Sequence, residues 1–279
     1  MSRGRSRKRF QRVAVWITIA VVLILFVFPI YWLFGMALKQ NVQITSWPPQ
    51  FVFRPTLENF DYILFSSGTP YLRYLRNSFM VALATTALTI VAGGLGAYSL
   101  SRYRFRGRGL FMFWVLTARI LPPVAIGIPL FLIIRNLGLL DTFVAVVLAH
   151  AAFILPMGVW IMTSFFETIP HDIEQAAKVD GASPAQAFFY ITLPVSSPGI
   201  GAAAILAFIF SWNEFFYSLV LTGSGTRTMT VALAGFQGAL QLEWGYMSAA
   251  AVITVLPLFM FVFLTQRLLV SGLTGGALK

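Results

Sequence analysis

Hydrophobic residues form six long runs along the chain, and charged residues are concentrated between these runs. A helix needs about 20 apolar residues to cross the hydrocarbon core of a bilayer, and every run is long enough. The runs predict six transmembrane helices, at 13–38, 78–101, 110–134, 142–166, 198–222 and 247–266. The expected fold class is therefore all-α, a polytopic membrane protein.

The composition favours a membrane protein over a soluble enzyme. Of the 279 residues, 58% are hydrophobic and 10% are charged, whereas charged residues make up about a quarter of a soluble domain. The chain has no cysteine and only two histidines, so no metal centre is expected. The hydrolase motifs H-E-x-x-H and G-x-S-x-G are also absent, and no catalytic residue is predicted.

The distribution of basic residues predicts the orientation. Residues 1–12 carry six basic side chains, and the segment Arg102–Arg108 carries four. Because cytoplasmic loops are rich in Lys and Arg, both termini and this segment are expected in the cytoplasm. The first run is too long for a signal peptide, so we expect it to remain as a helix. The net charge of +11 is then explained by basic residues that set the orientation and contact acidic lipid head groups. No nucleic-acid partner is therefore expected.

The predicted spans divide the chain into five parts. These are a basic cytoplasmic N-terminus (1–12), a first transmembrane helix (13–38), an outer loop (39–77), a five-helix core (78–266) with an inner loop at 167–197, and a cytoplasmic tail (267–279). Prolines and aromatic residues are frequent in the outer loop, as in Trp47-Pro48-Pro49. We therefore favour a structured cap over a simple connector.

The inner loop predicts a short helix–turn–helix. Pro170 is placed to open the first helix, and Gly181 suits the left-handed residue that ends it. Ser183 and Gln186 have the spacing of a capping box at the start of the second helix. The loop is acidic, which again disfavours nucleic acid. It is either a docking surface for another protein or a self-contained cap.

The same loop resembles the EAA loop of ABC importer permeases, E-A-A-x3-G-x9-I-x-L-P. Ala176 and Ala177 are followed, at the family's spacing, by Gly181 and by Ile191-Thr-Leu-Pro194. The motif's glutamate is represented either by Gln175 or by Glu174 one place earlier. Asp180, the Trp212-Asn213-Glu214 triplet and the segment 271–279 are similar to the MalG-like carbohydrate and polyol branch.

The resemblance implies a type I ABC importer permease of the inner membrane. Such a subunit pairs with a second, homologous permease and receives solute from an external binding protein. It moves a sugar, polyol or related glycoside by alternating access. ATP and Mg would be bound by a partner ATPase dimer, and this chain lacks the phosphate-binding motif G-x-x-x-x-G-K-[ST]. The residues implied to couple the chain to the ATPase are Glu174, Gln175, Ala176, Ala177, Asp180, Gly181, Phe188 and Phe189. A secondary transporter or channel, working without an ATPase, is the alternative.

Two charged residues, Arg119 and Glu214, lie inside the predicted spans. Each costs about 2.5–3.5 kcal/mol in the bilayer, so each is expected to face a cavity, a partner or the other charge. Our hypothesis is that Glu214 lines a translocation cavity and that Arg119 pairs with it or contacts solute. A polar contact with the second permease is equally compatible. The cavity candidates are Arg119, Trp212, Asn213, Glu214 and Tyr217.

Two further features of the spans carry expectations. Pro122 and Pro123 are adjacent in the third span, and they are expected to kink or break its helix. A broken helix often lines a cavity, although a packing kink is the alternative. His150 in the fourth span is expected to be a hydrogen-bonded packing residue rather than a ligand.

Overall fold

The computed structural model describes residues 3–66, 70–117, 119–236 and 243–275, and these residues form helices and connecting segments without a β-strand. Residues 1–2 and 276–279 of the predicted cytoplasmic ends lie outside the described residues. The helices are α1 (Arg3–Ala37), α2 (Asn41–Ile44), α3 (Glu58–Asp61), α4 (Tyr71–Arg102), α5 (Arg108–Thr117), α6 (Pro123–Asn136), α7 (Phe143–Thr168), α8 (His171–Val179), α9 (Pro184–Ala187), α10 (Leu193–Val195), α11 (Ser197–Trp212), α12 (Phe216–Leu221), α13 (Met229–Ala234) and α14 (Trp244–Gly275). Two π-helical turns, Tyr62–Ser66 and Phe188–Thr192, continue α3 and α9.

Long apolar helices account for four of the six predicted spans. Within the described residues, the helices long and apolar enough to cross a membrane are Gln11–Ala37, Tyr71–Arg102, Phe143–Thr168 and Trp244–Thr265. A fifth is added if Pro184–Val195 and Ser197–Trp212, which meet at a 76° bend, form one span. The chain is therefore an all-helical polytopic membrane protein, while helix length alone does not confirm the number six.

The other two predicted spans are each built from two shorter helices. The third predicted span is divided into α5 and α6, and α6 begins at Pro123 directly after Pro122. The fifth is divided into α11 and α12, which are separated by residues 213–215. The predicted break at the paired prolines is confirmed, whereas the break beside Glu214 was not predicted. Proline explains the first break because it cannot donate the helical hydrogen bond.

The chain separates into two compact units. The first contains residues 1–70 and 235–254, and the second contains residues 71–234 and 255–279. In the second unit, α4, α7 and α11 pack against one another around a buried apolar cluster. This cluster consists of Ala97, Leu100, Val159, Met162, Phe166, Phe188 and Ala203. Close approach of α11 depends on Gly199, where a Cβ atom would lie 2.1 Å from the Phe165 ring.

In the first unit, the segment that follows α1 is folded rather than extended. Lys39 is only 5% exposed, and its ammonium donates to the Gln50 carbonyl at 2.6 Å. The same ammonium lies 4.7 Å from the centre of the Phe53 ring. The buried Asn59 side chain donates to the Lys39 carbonyl at 2.7 Å. This agrees with a structured outer segment, and α4 begins at Tyr71, before the predicted start of the second span at residue 78.

Candidate coupling segment and intramembrane polar site

The inner segment between α7 and α11 forms the predicted helix–turn–helix. Gly181 follows α8 with a φ of +91°, the left-handed conformation expected of it. The Ser183 hydroxyl accepts from the Gln186 N–H at 3.3 Å, and the Gln186 side chain accepts from the Ser183 N–H at 2.8 Å. Local sequence signals therefore correctly predicted both the end of α8 and the start of α9.

Glu174 of α8 is buried at the centre of a polar cluster that we call the Glu174 clamp, formed with Arg102, Tyr98 and Thr192. The carboxylate accepts from Arg102 Nε at 2.8 Å and lies 2.7 Å from Arg102 Nη2. It also accepts from the Thr192 hydroxyl at 2.5 Å and the Tyr98 hydroxyl at 3.0 Å. The clamp therefore joins α8 to the end of α4 and to the turn that follows α9.

The Glu174 carboxylate is held in its charged form by these partners. Burial by itself raises the pKa of Glu174, because a low-dielectric surrounding disfavours the carboxylate. The hydrogen bonds from Arg102 and Thr192, together with the positive charge of Arg102, outweigh burial and hold the pKa below its usual value. Glu174 and Arg102 therefore form a buried ion pair, with side chains 3% and 5% exposed.

The remaining candidate coupling residues lie mostly on the opposite, exposed side of the segment. Gln175, Ala176, Asp180, Gly181 and Phe189 are exposed, and Ala177 is partly exposed. Phe188 instead is 6% exposed, and its ring lies 4.6 Å from the Tyr98 ring. Glu174 and Phe188 therefore hold the segment onto the chain's own helices. Exposed apolar side chains flank the open surface, namely Ile173, Val179 and Tyr190.

The clamp partners were missed by the sequence analysis. Arg102 was counted only among the basic residues that set orientation. Its guanidinium also donates to the Phe166 carbonyl at 2.9 Å, close to the end of α7. A cation at the last position of α4 is a signal of a helix C-terminus, but it does not identify a partner 72 residues away.

Glu214 caps α12 at the break in the fifth span. Its carboxylate accepts from the N–H groups of Tyr217 at 2.8 Å and Ser218 at 3.0 Å. It also lies 3.0 Å from Nε2 of His150. His150 is 1% exposed, and its Nδ1 lies 2.8 Å from the Ser211 hydroxyl. The carboxylate thus satisfies donors that a continuous helix would have satisfied itself.

Of the two alternatives for Arg119, an ion pair with Glu214 is not formed among the described residues. The lone pairs of Glu214 are already used by the N-terminus of α12 and by His150, which is the hydrogen-bonded packing residue that the sequence predicted. The Arg119 guanidinium instead lies 5.0 Å from the centre of the Phe153 ring and 5.1 Å from that of Phe210. These distances are typical of cation–π contacts.

The other cavity candidates divide into buried and exposed residues. Trp212 and Tyr217 are only 1% and 3% exposed, and the Trp212 ring stacks on Phe208 at 5.6 Å. Neither ring therefore has a free face for a sugar in this structure. Asn213 is exposed, while Arg119 and Glu214 are partly exposed. Among the described residues, no cluster of three or more His, Cys, Asp or Glu side chains could hold a metal ion.

A second carboxylate organises the connection between α12 and α13. Asp141, with a φ of +57°, accepts from the N–H groups of Gly223, Gly225 and Thr226 at 2.8–2.9 Å and from the Thr226 hydroxyl at 2.7 Å. Burial raises the pKa of Asp141, but these hydrogen bonds outweigh it and lower the pKa to about 2. No sequence pattern indicated this contact.

Several apolar spans, two of them broken, together with a helical segment held to α4 by the Glu174 clamp, define a polytopic membrane protein with a structured segment between two spans. Residues 89–275 match the family described as binding-protein-dependent transport system inner membrane component. The chain belongs to this family, whose members are the permeases of ABC importers.

Relatives with assigned roles cover nearly the whole chain. The trehalose transport system permease protein SugB of Mycobacterium tuberculosis is 37% identical, over 90% of this chain and 92% of its own length. The sulfoquinovosyl glycerol transport system permease protein SmoH of Agrobacterium fabrum is 37% identical, over 94% of this chain and 92% of its own. A chain of a bacterial ABC transporter that imports alginate has the same fold, with a TM-score of 0.78, 22% identity and coverage of 94% and 97%.

Proposed function

We propose that this chain is the permease subunit of an ATP-driven importer for a sugar, polyol or related glycoside. Family membership establishes a transport subunit of the inner membrane. The relatives named above support the solute class, because they match nearly the whole chain and are named as permeases for trehalose and for sulfoquinovosyl glycerol. ATP is hydrolysed by a partner ATPase, in agreement with the lack of the motif G-x-x-x-x-G-K-[ST] in this sequence.

The observation that carries the proposal is the arrangement of α8. The Glu174 clamp fixes one side of the helix to α4, while Gln175 and Ala176 lie exposed on another side. A helix that is held rigidly but left open can transmit a displacement to the spans. We propose that the ATPase docks on this open surface, with the apolar Ile173 and Val179 at its edges. Glu174 then positions the docking helix and does not itself contact the ATPase.

The proposed assembly contains a second permease and an external binding protein. Both termini and α8 face the cytoplasm in this assignment, as the basic residues predict. The apolar side chains of α1 are exposed along the helix, from Val13 to Phe34. Such a surface is suited to lipid or to the second permease. The five-part division of the chain, including the tail 267–279, belongs to the same proposal.

Solute passage is assigned to the exposed polar groups near the two broken spans. Asn213 is exposed at the break between α11 and α12, and Arg119 lies over Phe210 of α11. Amide and guanidinium groups donate hydrogen bonds to hydroxyl oxygens, and an aromatic ring packs on the apolar face of a sugar. Trp212 and Tyr217 would reach the solute only after a rearrangement that uncovers them. Glu214 maintains the break.

The proposal is tested by purifying the tagged chain from native membranes with the proteins bound to it. We expect a second permease and an ATPase, and ATP hydrolysis that rises when solute-loaded binding protein is added. The variant Ala176→Trp, on the exposed side of α8, should lose the ATPase. The control Gln40→Trp, exposed in the outer segment, should keep it. Uptake driven by an ion gradient, with no ATPase bound to the wild-type protein, would establish the secondary transporter instead.

A further inference from the structure

The connection between α4 and α5 holds two exposed arginines between two paired ones. Arg102 is bound to Glu174 and Arg108 to Glu167, so each end of the connection is attached to α8 or to the end of α7 just before it. Within the part of the chain that the structure describes, Arg104 and Arg106 form no ion pair or hydrogen bond, and both are exposed. The middle of this connection therefore presents two positive charges to an external partner.

The residues beside these arginines are exposed aromatic side chains. Tyr103 is 60% exposed and Phe105 is 49% exposed, so aromatic and cationic residues alternate. This alternation is typical of segments at the level of lipid head groups, where aromatic rings reach the apolar layer and guanidinium groups stay at the phosphates.

An exposed apolar surface follows at once on α5. None of the residues of α5 is buried, and the exposed side chains include Leu110, Phe111, Phe113 and Trp114. Leu110 lies in the first turn of α5, four residues after Arg106. Along the chain, exposed cations are followed by exposed apolar residues. Across one leaflet of a bilayer, the head-group layer is likewise followed by the hydrocarbon layer.

We propose that residues 103–106 bind the phosphate groups of anionic phospholipids and thereby connect the charge of the bilayer surface to the coupling segment. Arg104 and Arg106 pair with the phosphates, and Tyr103 and Phe105 insert beside them. Because Arg102 and Arg108 hold the same connection to Glu174 and Glu167, its position is transmitted to α8. The regulatory part of this inference rests on the proposed function, whereas the lipid site does not.

A membrane partner is favoured over an acidic protein surface by the continuity with α5. The two exposed rings are followed, from Leu110 onward, by the exposed apolar side chains of α5. A water-soluble subunit that covered the arginines would leave this apolar surface at its edge. Anionic lipid satisfies the charges and the rings together, and its attraction weakens as salt is raised because these charges are exposed.

The test uses the complete purified transporter in nanodiscs of phosphatidylcholine alone and of phosphatidylcholine with added phosphatidylglycerol. The double variant Arg104→Gln/Arg106→Gln is compared with Arg54→Gln/Arg135→Gln, which removes two exposed arginines elsewhere. Native mass spectrometry counts retained phosphatidylglycerol, and ATP hydrolysis is measured with solute-loaded binding protein. Thermal unfolding is recorded to confirm that every variant is folded.

We expect the 104/106 variant to retain less phosphatidylglycerol, with affinity reduced roughly fivefold per arginine at low salt. Its ATP hydrolysis should no longer respond to phosphatidylglycerol, whereas the control variant should respond as the wild type does. Equal lipid retention in the two variants would overturn the inference. So would loss of the ATPase subunit from the 104/106 variant in both lipid mixtures, because the connection would then be a protein-docking surface. The lipid count remains decisive even if the chain proves not to couple to an ATPase.

Discussion

Replacing Glu174 by Gln should release α8 from the rest of the permease without removing any exposed contact of the docking surface. The amide has the shape of the carboxylate and can still accept one hydrogen bond from Thr192 or Tyr98. It has no negative charge to offer Arg102, whose side chain is only 5% exposed. A buried cation is thus left without its counter-ion, and the clamped state loses stability.

The magnitude follows from the burial of the pair. Removing one partner of a buried ion pair costs about 3–5 kcal/mol, and the retained hydrogen bonds place Glu174→Gln near the lower limit. A loss of about 3 kcal/mol changes the equilibrium between clamped and released α8 roughly 150-fold. Adding Arg102→Met removes the stranded cation, so the double variant should recover a large part of the loss.

Hydrogen exchange of the backbone amides in 171–195 measures this release directly. Local opening sets the exchange rate, so protection should fall by about two orders of magnitude in Glu174→Gln. Asp172→Asn is the matched control, because Asp172 lies exposed in the first turn of the same helix. ATP hydrolysis should become less responsive to solute in Glu174→Gln only. Equal protection in the two variants would show that the ion pair does not hold α8.

Three further predictions concern substitutions whose effect on stability follows from one contact or one backbone conformation in the structure. Asp141→Asn should lower the thermal stability of the protein at pH 7. The difference from the wild type should shrink as the pH falls from about 4 through about 2, since a carboxylate with a pKa near 2 contributes only while it is charged. The unfolding curves of the two proteins should therefore converge across this pH range. Gly181→Ala should destabilise α8 by roughly 1–2 kcal/mol through its φ of +91°, with open space around the added methyl group; an unchanged melting temperature would contradict this. Gly199→Ala should lower the free energy of unfolding by about 1–3 kcal/mol, because the added methyl group meets the Phe165 ring. Gly96→Ala, with no neighbour within 4 Å of the added methyl group, should not lower it, since alanine is the better helix former; melting temperatures in detergent compare the two variants.

Features encoded by neighbouring residues were predictable from the sequence. Gly181 and the pair Ser183 and Gln186 act within a few residues of their own positions, so they revealed the helix–turn–helix before any tertiary contact was known. The paired prolines at 122–123 revealed a break for the same reason. Four of the six apolar runs correspond to single long helices, because span length is set by the thickness of the bilayer.

Contacts between distant segments give Glu174 a position that the pattern did not predict. The resemblance placed Glu174 among the residues implied to couple the chain to the ATPase. In the structure Ile173 is 44% exposed and Glu174 is 2% exposed, which is the opposite of the usual preference. Arg102, which compensates the buried carboxylate, comes from another helix. Because the buried residue of α8 is charged, the hydrophobic periodicity of the helix does not indicate which of its sides is buried.

The two intramembrane charges show that the free-energy cost of a charge in the bilayer does not by itself predict which group that charge will contact. Arg119 and Glu214 were each expected to face a cavity, a partner or the other charge. A break in a transmembrane helix, however, exposes N–H groups that lipid cannot satisfy. Glu214 sits where it satisfies two of them at α12, and His150 completes its environment. The carboxylate is therefore committed to the backbone, and for this reason the proposed recognition of solute involves Asn213 and Arg119 rather than Glu214.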